Sequence, residues 1–162
     1  MLTRKNKSFI RRSMISWLKK IGYTTIDKSS LLTLESREII SGRSFEKYRN
    51  VFNKSVKPTI LALRNDDVMC IVCLQNLNQK RNGESQFFNV IGRIMLCNFY
   101  FTGRTFLAIP EWCRDLEFLR GLFKELDVGL ITVDTRGDVR VLLKPPSFCA
   151  RLAQRNGSLR SP

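Results

Sequence analysis

Two apolar runs, Thr59-Ile60-Leu61-Ala62-Leu63 and Val68-Met69-Cys70-Ile71-Val72-Cys73-Leu74, flank the polar spacer Arg64-Asn65-Asp66-Asp67. Asn and Asp bond to their own backbone in tight turns, so the pattern predicts a β-hairpin. The second run is apolar at every position and predicts a mostly buried strand. Such a strand belongs in a sheet, and the rest of the chain alternates short strands with helices that can flank it.

It does so on both sides of the hairpin. Ile10, Met14, Trp17, Leu18 and Ile21 recur at helical spacing, predicting a helix over about 8–20 that Gly22 ends. Residues 23–26, Tyr-Thr-Thr-Ile, suit a short strand. The Ser-rich segment 27–57 is less patterned, with a short helix expected at 44–52. After a polar loop at 75–83, Phe87, Phe88, Ile91, Ile94, Met95 and Phe99 predict a helix ending near Gly103, and 105–109 reads as a buried strand. Pro110 is expected to open a third helix whose stripe of Trp112, Leu116, Leu119, Phe123 and Leu126 enters the core. Two more strands, 129–134 and 139–143, surround the turn Thr135-Arg136-Gly137-Asp138 before Pro145 and Pro146. The expectation is one α/β domain over 1–147, a mixed central sheet flanked by helices, followed by a basic flexible tail at 148–162.

Charge narrows the function. Among 162 residues, 28 Lys and Arg stand against 14 Asp and Glu, a net charge of +14 that repels itself unless a polyanion screens it. Nucleic acid, with DNA favoured, is the expected partner, and no membrane is expected; a soluble basic, ribosomal or membrane-surface protein is the plainer alternative. No apolar run approaches the ~20 residues of a bilayer span, and no secretory signal opens the chain, so a cytoplasmic protein is expected, nucleoid-associated if it binds DNA. The acid-free, basic stretch 1–26 also fits an organellar transit peptide. Cys70, Cys73, Cys97, Cys113 and Cys149 are an odd set in apolar segments and read as reduced thiols. Cys70 and Cys73 have the spacing of a zinc or redox pair, but three residues apart on a strand they face opposite ways. The chain contains no His, which excludes Cys-His and Ser-His nucleophile arrangements.

Pro58 with the two apolar runs resembles the central hairpin of the PD-(D/E)XK nucleases, especially archaeal Holliday-junction resolvases and other restriction-endonuclease-like proteins. In that family a helix precedes the hairpin and a helix and a strand follow it, the order predicted here over about 8–110. The resemblance implies a restriction-endonuclease-like fold and a magnesium site built from carboxylates with a Lys to orient water. At the corresponding positions this chain has Thr59, Cys73 and Gln75, with Arg11 near the place of the resolvases' first-helix Glu. Those residue types supply no fixed negative charge, so a catalytically silent relative with no metal and no cofactor is expected.

The positive surface implied by that reading starts on the first helix, with Lys7, Arg11, Arg12, Lys19 and Lys20. It continues through Arg43, Lys47, Arg49, Lys54 and Lys57, with Tyr48 or Phe52 to stack on an unpaired base. Lys80, Arg81 and the tail's Arg151, Arg155 and Arg160 are expected to add salt-sensitive contacts. Two alternatives remain. An atypical metal-dependent endonuclease would use Asp66, Asp67 and Glu84, which otherwise read as turn and helix-start residues, as do Glu111, Asp134 and Asp138. An interaction subunit of a DNA-processing complex would use the Phe-rich helix at 86–100 as its subunit interface. The silent nuclease-like binder is itself expected as a homodimer, as the resolvases it resembles are, or as the inactive partner of an active nuclease.

Overall fold

The computed structural model describes residues 5–27, 58–64, 67–74, 83–100 and 104–145. In chain order the elements are α1 (Lys5–Lys20), β1 (Thr24–Ile26), β2 (Ile60–Arg64), β3 (Asp67–Cys73), α2 (Gly83–Tyr100), β4 (Thr105–Pro110), α3 (Leu116–Glu125), β5 (Gly129–Val133) and β6 (Val139–Leu143). The hairpin forms as the spacer predicts, with Leu61 opposite Cys70 and Arg64 opposite Asp67. All six strands join one sheet in sequential order. β1 and β3 flank β2 antiparallel, β3, β4 and β5 run parallel, and β6 returns antiparallel to β5.

Parallel neighbours need crossovers, and two crossovers of the same hand proceeding in the same direction put their helices on one face. α2 and α3 accordingly pack together on one side, where Ile94, Cys97, Leu119 and Phe123 meet Leu61, Cys70, Val72, Leu107, Ile109 and Leu130. α1 covers the opposite face, placing Ile10, Met14 and Leu18 on Ile60, Ala62, Ile71, Ala108 and Ile131. The alternation of side chains along β3 and β4 feeds both cores, which is why these strands are apolar after their first residues, Asp67 and Thr105. A register irregularity at Leu130/Ile131 sends both Leu142 and Leu143 toward the α2–α3 side.

α1 ends in a Schellman closure: Tyr23 N–H donates to Leu18 O at 2.9 Å and Gly22 N–H to Lys19 O at 3.1 Å, with Gly22 at φ 90. α3 ends the same way, Val128 N–H donating to Phe123 O (3.0 Å) and Asp127 N–H to Lys124 O (3.3 Å), although the left-handed residue is Asp127 at φ 56.

The third helix departs from expectation. Pro110 is the last residue of β4, opposite Val133, and Glu111 N–H prolongs the ladder to Val133 O at 2.9 Å. The chain then turns, Cys113 N–H donating to Pro110 O (3.1 Å), and helix begins only at Leu116. Trp112 therefore lies outside the helix and is 45% exposed instead of entering the core. In α2, Val90, Ile91, Ile94 and Cys97 form the packed side, whereas Phe88, Met95, Leu96 and Phe99 are exposed. The short helix expected at 44–52 and the tail lie outside the described residues. No helix among the described residues is long and apolar enough to cross a membrane.

Gly129 is fixed by close approach. It pairs with Phe106 across β4 and β5, and a Cβ on it would fall 2.2 Å from Phe106 Cδ1, so the ring lies across the bare backbone. Gly129→Ala is expected to displace Phe106 and to lower stability by about 1–3 kcal/mol, the range for overpacking a filled core. Urea unfolding checks this, and a change under about 0.5 kcal/mol would mean that the ring swings aside freely.

Candidate nucleic-acid interface

The β2–β3 pairing brings Thr59 and Cys73 together. Cys73 N–H donates to Thr59 Oγ1 at 2.9 Å, and Arg93 of α2 reaches the same oxygen through Nη2 at 3.5 Å. Burial pushes the Cys73 thiol up to about 12, against the opposing pull of Arg93 and Arg11, so the sulfur is a neutral thiol near pH 7. Arg11 itself is ion-paired: its Nη2 is 2.8 Å from Oδ2 of Asp27, a residue only 7% exposed. Gln75 lies outside the described residues.

These residues do not fit a magnesium ion. Mg²⁺ takes hard, mostly anionic oxygen ligands. Here Thr59 Oγ1 already accepts two hydrogen bonds, the thiol is neutral, and two guanidinium groups act on the same place. Cys70 and Cys73 do face opposite cores, and burial raises the Cys70 thiol as well. The four described cysteines, which also include Cys97 and Cys113, form no disulfide.

Among the described residues no group of three His, Cys, Asp or Glu side chains could hold a metal. Asp66 lies outside the described residues, while Asp67 and Glu84 fall in β3 and α2. Glu111, Asp134 and Asp138 line a small cavity of about 170 Å³. Asp134 Oδ1 is the turn acceptor expected, bonded by the N–H groups of Arg136 (2.8 Å) and Asp138 (2.9 Å), which together hold its carboxyl below the usual range. Glu111 accepts from Arg140 at 3.5 Å and, with α3 starting later, does not begin a helix.

A positive concavity lies instead between α1 and the β5–β6 turn. Gly137 adopts φ 92, and a Cβ on it would meet Ser13 Oγ at 3.0 Å, so glycine lets the turn approach the helix. The space between them, about 520 Å³, is walled by Arg12, Ser13, Ser16 and Lys20 on one side and Arg136, Gly137 and Asp138 on the other, with Trp17 at its border. Trp17 also borders a second cavity of about 480 Å³ on the same face of the sheet. Its floor is Met69, Ile71, Phe106, Ile131 and Val141, and Arg64, Arg104 and Lys144 bring the charge.

Arg64 is held in place: its guanidinium carbon lies 4.5 Å from the Tyr23 ring centroid and Nη1 donates to Ile21 O at 3.2 Å. That bond and the Schellman closure satisfy carbonyls at the negative end of α1, removing an obstacle to an approaching anion. Six cations thus line two cavities sharing one tryptophan, with Asp138 the single carboxylate among the lining residues described.

Of the cations named from sequence, Arg12 and Lys20 enter this interface and Lys19 is exposed beside it, while Arg11 is drawn to Asp27. Lys7 lies in α1. Arg43, Lys47, Arg49, Lys54, Lys57, Lys80 and Arg81 lie outside the described residues, as do Tyr48 and Phe52. Sequence reasoning did not single out Arg64, Arg104, Arg136, Lys144 and Trp17, which line these cavities; the first four each adjoin a strand end or occupy a turn between strands, the one local signal they share. Compared with known proteins, the chain matches no family model, no curated protein and no solved structure.

Proposed function

We propose that this protein binds nucleic acid, DNA being the expected ligand, on a nuclease-like fold whose metal-binding positions have been replaced. The observation that carries the reading is the pair of cation-lined cavities joined at Trp17, because phosphate contacts by Lys and Arg dominate nucleic-acid affinity and an aromatic ring adds a surface for bases. The nuclease-like part is supported by the succession of helix, hairpin, helix and strand, and by the convergence of Thr59 and Cys73 with the charge of Arg11 acting on them. Replacement of carboxylates by Thr, a neutral thiol and guanidinium groups favours holding a strand over cutting it.

The test is binding to linear duplex, single-stranded and four-way-junction DNA across a salt series, with and without Mg²⁺ or Mn²⁺ and with product analysis. The logarithm of affinity is expected to fall linearly with that of salt, leaving the DNA intact. No binding near physiological salt would sink the proposal, and metal-dependent cleavage would overturn its silent-site half.

A second reading is favoured by α2. Phe88, Met95, Leu96 and Phe99 are exposed along a helix whose one charged side chain between them, Arg93, reaches toward Thr59. A chain of +14 repels another copy except through such an uncharged stripe, so self-association is the partner it fits. The stripe offers on the order of a few hundred Å² per protomer, below the roughly 800 Å² of a stable interface, so the dimer is expected to be weak. Sedimentation velocity should show concentration-dependent dimerisation that Phe99→Lys removes; a monomer at all concentrations would exclude it.

A further inference from the structure

We infer that the cavity between Trp17 and Pro145 receives one unpaired base of a nucleic-acid strand, with the flanking phosphates held by Arg64, Arg104 and Lys144. The inference rests on the nucleic-acid-binding reading and says which part of the ligand is recognised. A groove that followed the backbone alone would need cations and no apolar floor. Here Met69, Ile71, Phe106, Ile131 and Val141 make an apolar floor beneath the charges.

The volume, about 480 Å³, lies within the roughly 300–1,000 Å³ usual for small-ligand pockets. A base enters such a site only after leaving its stack, and the cost of unstacking is least for a strand already single. Two features make the site a stacking platform. Trp17 borders the cavity, and Arg64 is pre-oriented by the Tyr23 ring and the Ile21 carbonyl, so its plane is fixed before a ligand arrives.

An apolar floor under cations also suits an anionic amphiphile such as a fatty acid. The neighbouring cavity decides between them. Arg12, Lys20 and Arg136 continue the positive path on the other side of Trp17, as a strand with phosphates on both sides of the buried base requires. A single-headed amphiphile has no use for that second set.

The experiment compares a short oligothymidylate with an abasic strand of the same length, titrated at matched salt into the full chain carrying Trp112→Phe so that Trp17 alone reports by fluorescence. Oligothymidylate is expected to bind roughly tenfold tighter or more than the abasic strand and to quench Trp17. Val141→Phe, which fills the cavity from an edge strand without removing charge or adding a second indole, should bring the two affinities together. If that variant does not fold, the affinity ratio and the quench in the Val141 protein decide the matter.

Equal, salt-dependent affinities for both strands would overturn the base pocket while leaving the backbone-binding reading intact. Equal affinities with a Trp17 response to oleate would assign the cavity to an amphiphile. Loss of all strand binding near physiological salt would overturn both readings together.

Discussion

Replacing Arg12, Lys20 and Arg136 together by Ala is expected to weaken single-strand binding about 100-fold at ~0.1 M salt and to lower the slope of log affinity against log salt by about 2. All three side chains are exposed and line the same cavity. Losing two or three phosphate contacts releases correspondingly fewer counterions, so slope and affinity fall together. The thermal midpoint should stay close to that of the parent, because exposed charges of this kind contribute little to folding. Lys19→Ala is the control: Lys19 is exposed on the same helix but lines neither cavity. Should it cost as much as Lys20→Ala, net charge and not the groove would govern binding.

Phe123→Ala is expected to lower stability by about 3–5 kcal/mol, the cost of truncating a fully buried aromatic side chain. Phe123 is 0% exposed and sits where α3 meets the sheet, among Leu107, Ile109, Leu119, Val128 and Leu130. A domain of this size has about 5–15 kcal/mol in total, so the variant should unfold at markedly lower urea. Phe118 lies on the same helix and is 57% exposed; Phe118→Ala should change stability by about 0.5 kcal/mol or less. Similar losses at the two positions would mean that the exposed ring also packs on folding.

The inner strands β2 to β5 were readable because each is a nearly uninterrupted apolar run beside turn-forming residues, a pattern burial on two faces produces. The end of α1 was readable because Gly22 marks a left-handed position by its residue type. The equivalent position after α3 is Asp127, whose geometry no residue type announces. The start of α3 was misplaced because Pro at a helix start and Pro at a strand end look alike in sequence, and only the pairing of Pro110 with Val133 tells them apart.

The site was less legible still. Arg11 is as basic as Arg12 in sequence, yet Asp27 claims one and the groove receives the other. Arg64, Arg104 and Lys144 are far apart in the chain, and sheet order alone makes them neighbours.

That sheet order ties both cavities to the joining of β6. Both cavities take lining from α1, the first helix described, and from β6 or the residues beside it, so neither is complete until β6 has joined β5. On the proposed function, a nascent chain still lacking β6 has no finished surface with which to capture a strand. Once formed, the interface ties binding to folding by mass action: a ligand that recognises only the finished sheet stabilises it by RT ln(1 + [L]/Kd), about 2.7 kcal/mol at a hundredfold excess over Kd. Proteolytic susceptibility measured with and without a saturating strand would then report occupancy without any label on the ligand.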